Sequence, residues 1–417
     1  MSNWRDFART IEMKYEELRK IFYRDRENYT SVYEKRFHAD NTIRLDFEIN
    51  GNQAFICQTE EVYSLIFDIL TLDKEIYGIR MRLPAKASEQ YSNKCLIDEI
   101  ILTNNIEGVH SSRKEIGDAL HELEEQSERK GRRNMFFGLV KKYYRLLSRE
   151  PVSIRTCQDI REIYDQIVLE EVTASNEYNA PDGAIFRKEL SEIYNSSGKV
   201  IHRGVYPETE IIRMMQNALS FLNDTDVNIL VRICIFHYLF EYIHPFYDGN
   251  GRTGRFILSY FISEHLEYLL AFRISGAIKE SLREYYGAFT SGGDQKNLGD
   301  LTPFLITMLT LIKSASQDLK DSLSEKYCKW KAYEKCFARI NIPDKDGYYT
   351  LFDYLVQAAL FSEIGISSQE LLGLMSISQN TLKKRLDVFE SLGLLITVKN
   401  RNRKYYTIDV AGLDALG

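Results

Sequence analysis

No two of the six cysteines, at positions 57, 95, 157, 234, 328 and 336, stand at CxxC spacing. Neither a zinc site nor a disulfide framework is indicated, and reduced, packing thiols are expected. Also missing is any apolar run able to span a bilayer. The most apolar stretch, residues 229–240, is interrupted by Arg232 and falls short of the roughly 20 residues a spanning helix needs. Residues 1–20 alternate charged and apolar side chains without a signal-peptide core, which predicts a cytoplasmic protein with no membrane contact. An excess of positive charge is absent too: the net charge of −6 gives no case for a chain-wide nucleic-acid coat and leaves only local basic patches. The HExxH pattern does not occur, so a zinc-protease helix is not indicated. What is present, 44% hydrophobic and 27% charged residues over 417 positions, is an ordinary globular composition with length for two to four domains.

The chemistry gathers in one stretch, His244-Pro245-Phe246-Tyr247-Asp248-Gly249-Asn250-Gly251-Arg252-Thr253-Gly254-Arg255. An imidazole, a carboxylate, an amide, two guanidiniums and three glycines this close together suit work on a phosphate. Upstream, Ile229, Ile233, Phe236, Phe240 and Ile243 recur at spacings of four, three, four and three, which predicts a helix over 228–243 that Pro245 ends. Downstream, 252–270 reads as a second, mostly apolar helix. Gly249 to Gly251 therefore fall at a helix N-terminus, where unpaired N–H groups and the helix dipole favour an anion. Gly249-x-Gly251-x-x-Gly254 also matches a dinucleotide fingerprint, but a helix precedes it and 269–275 holds no acid, so that alternative is set aside. His237, Glu241 and His244 share one helix face; His237 and Glu241 are read as a satisfied core pair rather than as metal ligands.

The stretch reads HPFYDGNGRTGR and resembles the Fic family signature HPFx(D/E)GNGRxxR, with every position present. The resemblance implies transfer of AMP from ATP to a Tyr, Ser or Thr hydroxyl of a target protein, the chain itself included, with release of diphosphate. It implies His244 as general base and Asp248 as ligand of Mg²⁺. Gly249, Asn250 and Gly251 would hold the α-phosphate, Arg252 and Arg255 the β and γ phosphates, with Thr253 and Gly254 completing the loop; Phe246 would plug the core. Thr103, Glu107 and Gly108 resemble the family's inhibitory motif (S/T)xxxE(G/N), which implies that Glu107 pairs with Arg255. Residues 183–207, with Val200, Ile201, His202 and Arg203, resemble the flap that binds a target peptide as an added strand and also contacts the nucleotide. Tyr285 and Tyr286 match a pair that lies against adenine in relatives; an asparagine often found seven positions later is Gly293 here. Removal of AMP, with Glu107 aligning a water, is a further activity the resemblance leaves open, as is a homodimer.

The fold class expected is mainly α: a Fic-type helical core with a β-hairpin flap, an N-terminal α+β region and a C-terminal winged helix-turn-helix. Residues 1–95 read as a packing or docking region. An amphipathic helix is marked by Phe7, Ile11, Leu18 and Ile21 or Phe22, then strands by Ile43 to Ile49 and Ala54 to Cys57 around Asn50-Gly51, then a helix over 60–80. Residues 96–130 carry the inhibitory helix segment, with Ser112 and Glu115 as a capping box for the helix after it. Residues 131–320 make up the catalytic domain, in which Ser153 or Thr156 caps a helix running to Glu170. Residues 345–417 show helices over 367–375 and 379–392 and strands over 394–398 and 404–408. Between 379 and 406 stand Lys383, Lys384, Arg385, Lys399, Arg401, Arg403 and Lys404 against Asp387 and Glu390, a basic face that suits DNA. A transcription regulator with a Fic sensor core is the alternative from another functional class, and protein docking is the alternative role of the module.

Overall fold

The computed structural model describes residues 10–124, 135–194, 198–342, 345–400 and 403–415. Contacts divide the chain into two compact units, Met1–Asp73 with Asp98–Ser316, and Lys74–Ile97 with Gln317–Gly417. Helices dominate both, and among the described residues the sheets have two or three strands. No helix among the described residues is long and apolar enough to cross a membrane.

The first unit opens with α1 (Tyr15–Arg24) and α2 (Arg26–Phe37), separated by Asp25, whose Oδ1 accepts from Asn28 N at 3.1 Å and caps α2. The single helix expected from Ile11 to Phe22 is thereby corrected, because the backbone leaves helical geometry at Met13 and Lys14; Phe7 lies outside the described residues. α2 escapes a periodicity count because its inward face carries Arg36, 2% exposed and ion-paired with Asp300 at 2.6 Å. A polar residue there occupies a core position. β1 (Thr42–Ile49) and β2 (Asn52–Cys57) pair antiparallel around Asn50-Gly51, both at positive φ (52° and 78°), the hairpin-turn conformation that Asn-Gly favours.

The helix over 60–80 is α3 (Glu60–Arg80), and α4 (Ala85–Ile106) follows it. Gly108, at φ 73°, turns the chain away from α4. Ser112 and Glu115 then bond reciprocally and start α5 (Arg113–Glu124). After α6 (Phe137–Leu147), Thr156 caps α7 (Cys157–Tyr164), which passes through a π-helical turn, Asp165–Leu169, into α8 (Glu170–Ser175). The hairpin-like segment becomes β3 (Glu192–Tyr194) and β4 (Val200–Arg203), paired antiparallel; Ser196 and Ser197 lie outside the described residues.

α9 (Glu208–Leu222) leads to α10 (Ile229–Ile243), mostly apolar and mostly buried. α11 (Asn250–His265) packs on it. The continuous helix expected over 252–270 is corrected here: Leu266 is extended, Glu267 N is held by Asp73, and a 3₁₀ turn follows at Tyr268–Phe272. α12 (Ile274–Glu280), α13 (Leu282–Gly292) and the start of the long α14 (Thr302–Cys336) complete the unit.

In the second unit, α15 (Lys345–Phe361), β5 (Ile366–Ser367), α16 (Ser368–Met375), α17 (Gln379–Ser391), β6 (Leu395–Asn400), β7 (Arg403–Ile408) and α18 (Val410–Asp414) follow in order, with strands arranged β5-β7-β6 and all antiparallel. Ser367 and Glu370 form a capping box for α16, and Ser378 caps α17. Phe352 of α15 stacks on Phe389 of α17 at 6.3 Å, so the apolar faces of these helices meet. Arg401 lies outside the described residues.

Candidate active site

α10 ends at His244 because its last apolar turn is buried and the next residue adopts the left-handed conformation, φ 51° and ψ 63°. That conformation disfavours a side chain with a Cβ, at a cost of about 1–2 kcal/mol, so something must hold it. His244 N donates to Phe240 O at 2.9 Å, and the buried Arg187 guanidinium donates from Nε to His244 O at 2.9 Å. Arg187 also donates to Glu189 O at 2.6 Å and to Val205 O at 2.9 Å, joining the end of α10 to both sides of the hairpin. Gly204 packs where a side chain would collide with that guanidinium. The acid nearby, Glu208, accepts from the backbone of Ala184, Ile185 and Phe186, fixing the segment that delivers Arg187.

The turn from His244 to α11 is wound on its own amide. Asn250 Oδ1 accepts from Phe246 N at 3.0 Å and its Nδ2 donates to Phe246 O at 2.8 Å. Phe246, fully buried, stacks on Tyr164 with ring centroids 3.7 Å apart. Gly249, at φ 78°, is the N-cap of α11, and a Cβ there would sit 2.8 Å from Val168 Cγ2, a residue the π-helical turn delivers. Only glycine satisfies both demands. The first N–H groups of α11 then face an open cleft of about 1330 Å³, whose walls include Glu107, Val200 to Arg203, Glu241, His244, Asp248 to Gly251, Arg255, Tyr285 and Tyr286. A small-molecule site typically occupies roughly 300–1,000 Å³, so this cleft has room for a nucleotide and part of a second reactant.

Most of the expected site residues meet in this cleft, and three do not. Thr253, buried, spends its hydroxyl on Gly249 O. Gly254 packs against α10, where a Cβ would run into Glu241, Phe240 and His237. Arg252, 2% exposed, is ion-paired with Glu171 of α8 and does not line the cleft, in contrast to its expected place at the phosphates. Arg255 is itself buried but reaches the cleft wall, donating from Nε to Thr103 Oγ1 at 2.8 Å and pairing through Nη2 with Glu107 Oε1 at 2.8 Å. The Glu107 carboxylate lies directly over Gly251, where any side chain would collide with it. It stands beside the first turn of α11.

Electrostatics separate the ionisable groups. Burial, with the positive charges of Arg187 and any protonated His202, pushes His244 down to about 3, so the imidazole is neutral; its Nδ1 has no partner among the described residues. Burial and the Arg255 charge lower His237 to about 3 as well. Its Nε2 shares a hydrogen bond with Tyr285 Oη at 2.7 Å. The expected pair of His237 with Glu241 is corrected accordingly: His237 engages Tyr285, while Glu241 Oε1 has no partner among the described residues. Burial and the neighbouring Glu107 raise Glu241 to about 8, which keeps it protonated at neutral pH. Tyr285 is buried and Tyr286 is 48% exposed, so the outer ring offers the free surface.

Asp248, at the rim, accepts from Gly249 N at 2.6 Å and from Asn179 Nδ2 at 3.3 Å. No group of three or more His, Cys, Asp or Glu among the described residues could hold a metal by itself. A single exposed carboxylate beside an anion site does fit Mg²⁺, which keeps most of its waters and takes its other oxygens from phosphates.

Residues 155–262 match the Fic/DOC family. A stretch of 107 residues is 36% identical to an Aquifex aeolicus chain named "Probable protein adenylyltransferase", covering 26% of this chain and 32% of that one. A stretch of 98 residues is 31% identical to protein adenylyltransferase fic-1 of Caenorhabditis elegans, covering 23% of this chain and 18% of that one. The matched stretches thus span a third or less of these relatives. A Fic family protein from Desulfovibrio desulfuricans has a solved structure similar over 84% of this chain and 96% of its own, with a TM-score of 0.51 at 19% identity. That likeness concerns the fold.

Proposed function

We propose that the chain, whose residues 155–262 match the Fic/DOC family, is a protein adenylyltransferase using ATP. The observation that carries this reading is the neutral His244 imidazole at the end of α10, in one cleft with the first turn of α11 and Arg255. In this reaction the acceptor hydroxyl oxygen forms a bond to the α-phosphorus, the bond from that phosphorus to the bridging oxygen breaks, and diphosphate leaves. His244 takes the hydroxyl proton. The N–H groups at the start of α11 hold the α-phosphate where charge grows. Arg255 holds the terminal phosphates. Asp248 would hold Mg²⁺, which when bound neutralises phosphate charge. The β3–β4 hairpin, with Ile201 61% exposed and Tyr194 56% exposed, offers a free strand edge to a target peptide.

In this reading Glu107 is an autoinhibitor. Its carboxylate takes Arg255 and stands beside the first turn of α11, so a nucleotide must either displace it or bind out of line. The test is the initial rate of label transfer from α-labelled ATP to protein. Glu107→Gly is expected to transfer faster than the unsubstituted chain by at least tenfold, the effect of about 1.4 kcal/mol on a barrier. Adding His244→Ala to it should abolish transfer while ATP still binds. Equal rates with and without Glu107 would overturn the inhibitory role; undiminished labelling without His244 would overturn the mechanism.

A second activity is supported for the C-terminal unit. Its helix-turn-helix order, followed by two strands, carries exposed Lys383 and Lys384 on α17 and exposed Lys399 and Lys404 on the strands. We read this as a winged helix that contacts DNA phosphates.

A further inference from the structure

We infer that Asn50, on the turn of the β1–β2 hairpin, reads the base of the bound nucleotide, its carboxamide matched to the amino edge of adenine. The inference rests on the nucleotide-transfer reading above and adds a residue from outside the matched segment. Asn50 lines the same cleft as His244 and Gly251, in company with Tyr286, Thr290, Gly293 and Lys296. From Tyr286 to Gly293 the backbone of α13 advances by roughly 10 Å at the usual helical rise, along the wall that the Asn50 turn shares. Gly293 has no side chain to contribute.

The Asn50 turn is pinned at this end of the cleft. Its backbone N donates to Tyr242 Oη at 3.2 Å, and its Nδ2 donates to Gly293 O at 2.7 Å. Because a carbonyl only accepts, the group facing Gly293 must be the NH₂ end, which sets the orientation of the amide. Two functions remain. Oδ1 accepts no hydrogen bond among the described residues, and one N–H of the amide is still free. An acceptor and a donor side by side is the pattern with which asparagine recognises adenine, taking a bond from the 6-amino group and giving one to a ring nitrogen. A 6-oxo purine presents an acceptor where adenine presents its amino group, and so sets oxygen against Oδ1.

The experiment is equilibrium competition of unlabelled ATP and inosine triphosphate against α-labelled ATP. It uses the 417-residue chain unsubstituted, with Asn50→Gly and with Asn50→Asp. Glycine keeps the left-handed turn while removing the carboxamide; aspartate keeps the acceptor and loses the donor. The unsubstituted chain is expected to prefer ATP over inosine triphosphate by about tenfold, the lower part of the range for one bidentate contact. Asn50→Gly should bring the ratio close to one, with Asn50→Asp between. A hairpin that merely buttressed the cleft would lower both affinities alike, so an unchanged ratio in Asn50→Gly overturns the inference while ATP binding upholds the nucleotide reading. Failure of the unsubstituted chain to bind either nucleotide would overturn that reading, and the inference with it.

Discussion

At His244, backbone strain and desolvation act on the same residue. The left-handed backbone, held by Arg187, puts the ring in the cleft wall, and burial there depresses its pKa to about 3. The consequence is a base that is neutral throughout the physiological range but a weaker proton acceptor than free imidazole. The pH dependence of kcat/KM should therefore show no acid limb near 6.5; such a limb, absent from a His244-independent control step such as ATP binding, would show that the ring titrates as an exposed one. Glu241 provides a separate prediction. Its pKa in the fold, about 8, lies above the carboxyl's ordinary 4.5, so the folded state keeps a proton that the unfolded chain releases. The stability from this proton is fully present below about pH 4.5 and is lost as pH rises through 8. Glu241→Gln, which mimics the protonated acid and cannot ionise, should gain in melting temperature relative to the unsubstituted chain as pH moves from 5 to 8. A gap that stays constant over that range would mean the carboxyl is already ionised at pH 5.

Elements matter where they meet end to end. The N-terminus of α11 can face the cleft only because Gly249 does two things, adopting φ 78° and leaving space for Val168. Gly51, on the hairpin turn, has the same φ of 78°, and a Cβ there would meet nothing within 4 Å. Comparing the two separates conformation from contact. Gly51→Ala should cost about 1–2 kcal/mol, the left-handed penalty alone. Gly249→Ala should cost more by about 1–3 kcal/mol, the range for overpacking a core, and should weaken ATP binding as well. Denaturant midpoints of the two variants, with ATP titrations, check this; equal losses would mean that Val168 and its π-helical turn yield without cost. Arg187 is the other junction, since Arg187→Met leaves several buried carbonyls without a donor at once. A stability loss of about 3 kcal/mol is expected from charged hydrogen bonds of this kind, read as a lower melting temperature, and an unshifted value would show that water replaces the guanidinium.

At the scale of the whole chain, an acidic molecule carries a basic face on one unit. Arg385 leans over the Tyr348 ring, 5.8 Å from its centroid, while Lys383, Lys384, Lys399 and Lys404 are exposed there. If each of these four lysines meets one phosphate, log affinity for duplex DNA should fall against log salt with a slope of about −3.6, at roughly −0.9 per contact. Fluorescence anisotropy of a labelled duplex across a salt series measures this slope for the intact chain. No binding at low salt would assign the unit to protein docking instead.

The sequence by itself determined the helix that ends at His244, the helix start at Gly249 to Gly251, the Asn50-Gly51 hairpin and the cap at Ser112, and it narrowed a further cap to Ser153 or Thr156. Each of these depends on neighbours within a few positions, through apolar spacing, positive φ or reciprocal capping. Even the pairing of Glu107 with Arg255, 148 positions apart, was expected through the resemblance, and the structure joins the two at 2.8 Å. What only the tertiary structure decided are the partners of buried polar groups. Arg252 turned to Glu171, His237 chose Tyr285 over Glu241, Arg36 filled a core position through Asp300, and Arg187 gathered carbonyls from 2 to 57 positions away. No periodicity marks such residues, because a buried charge is tolerated only where a distant acceptor meets it. Asn50 belongs with them: its turn was legible, and its place in the cleft followed from packing alone.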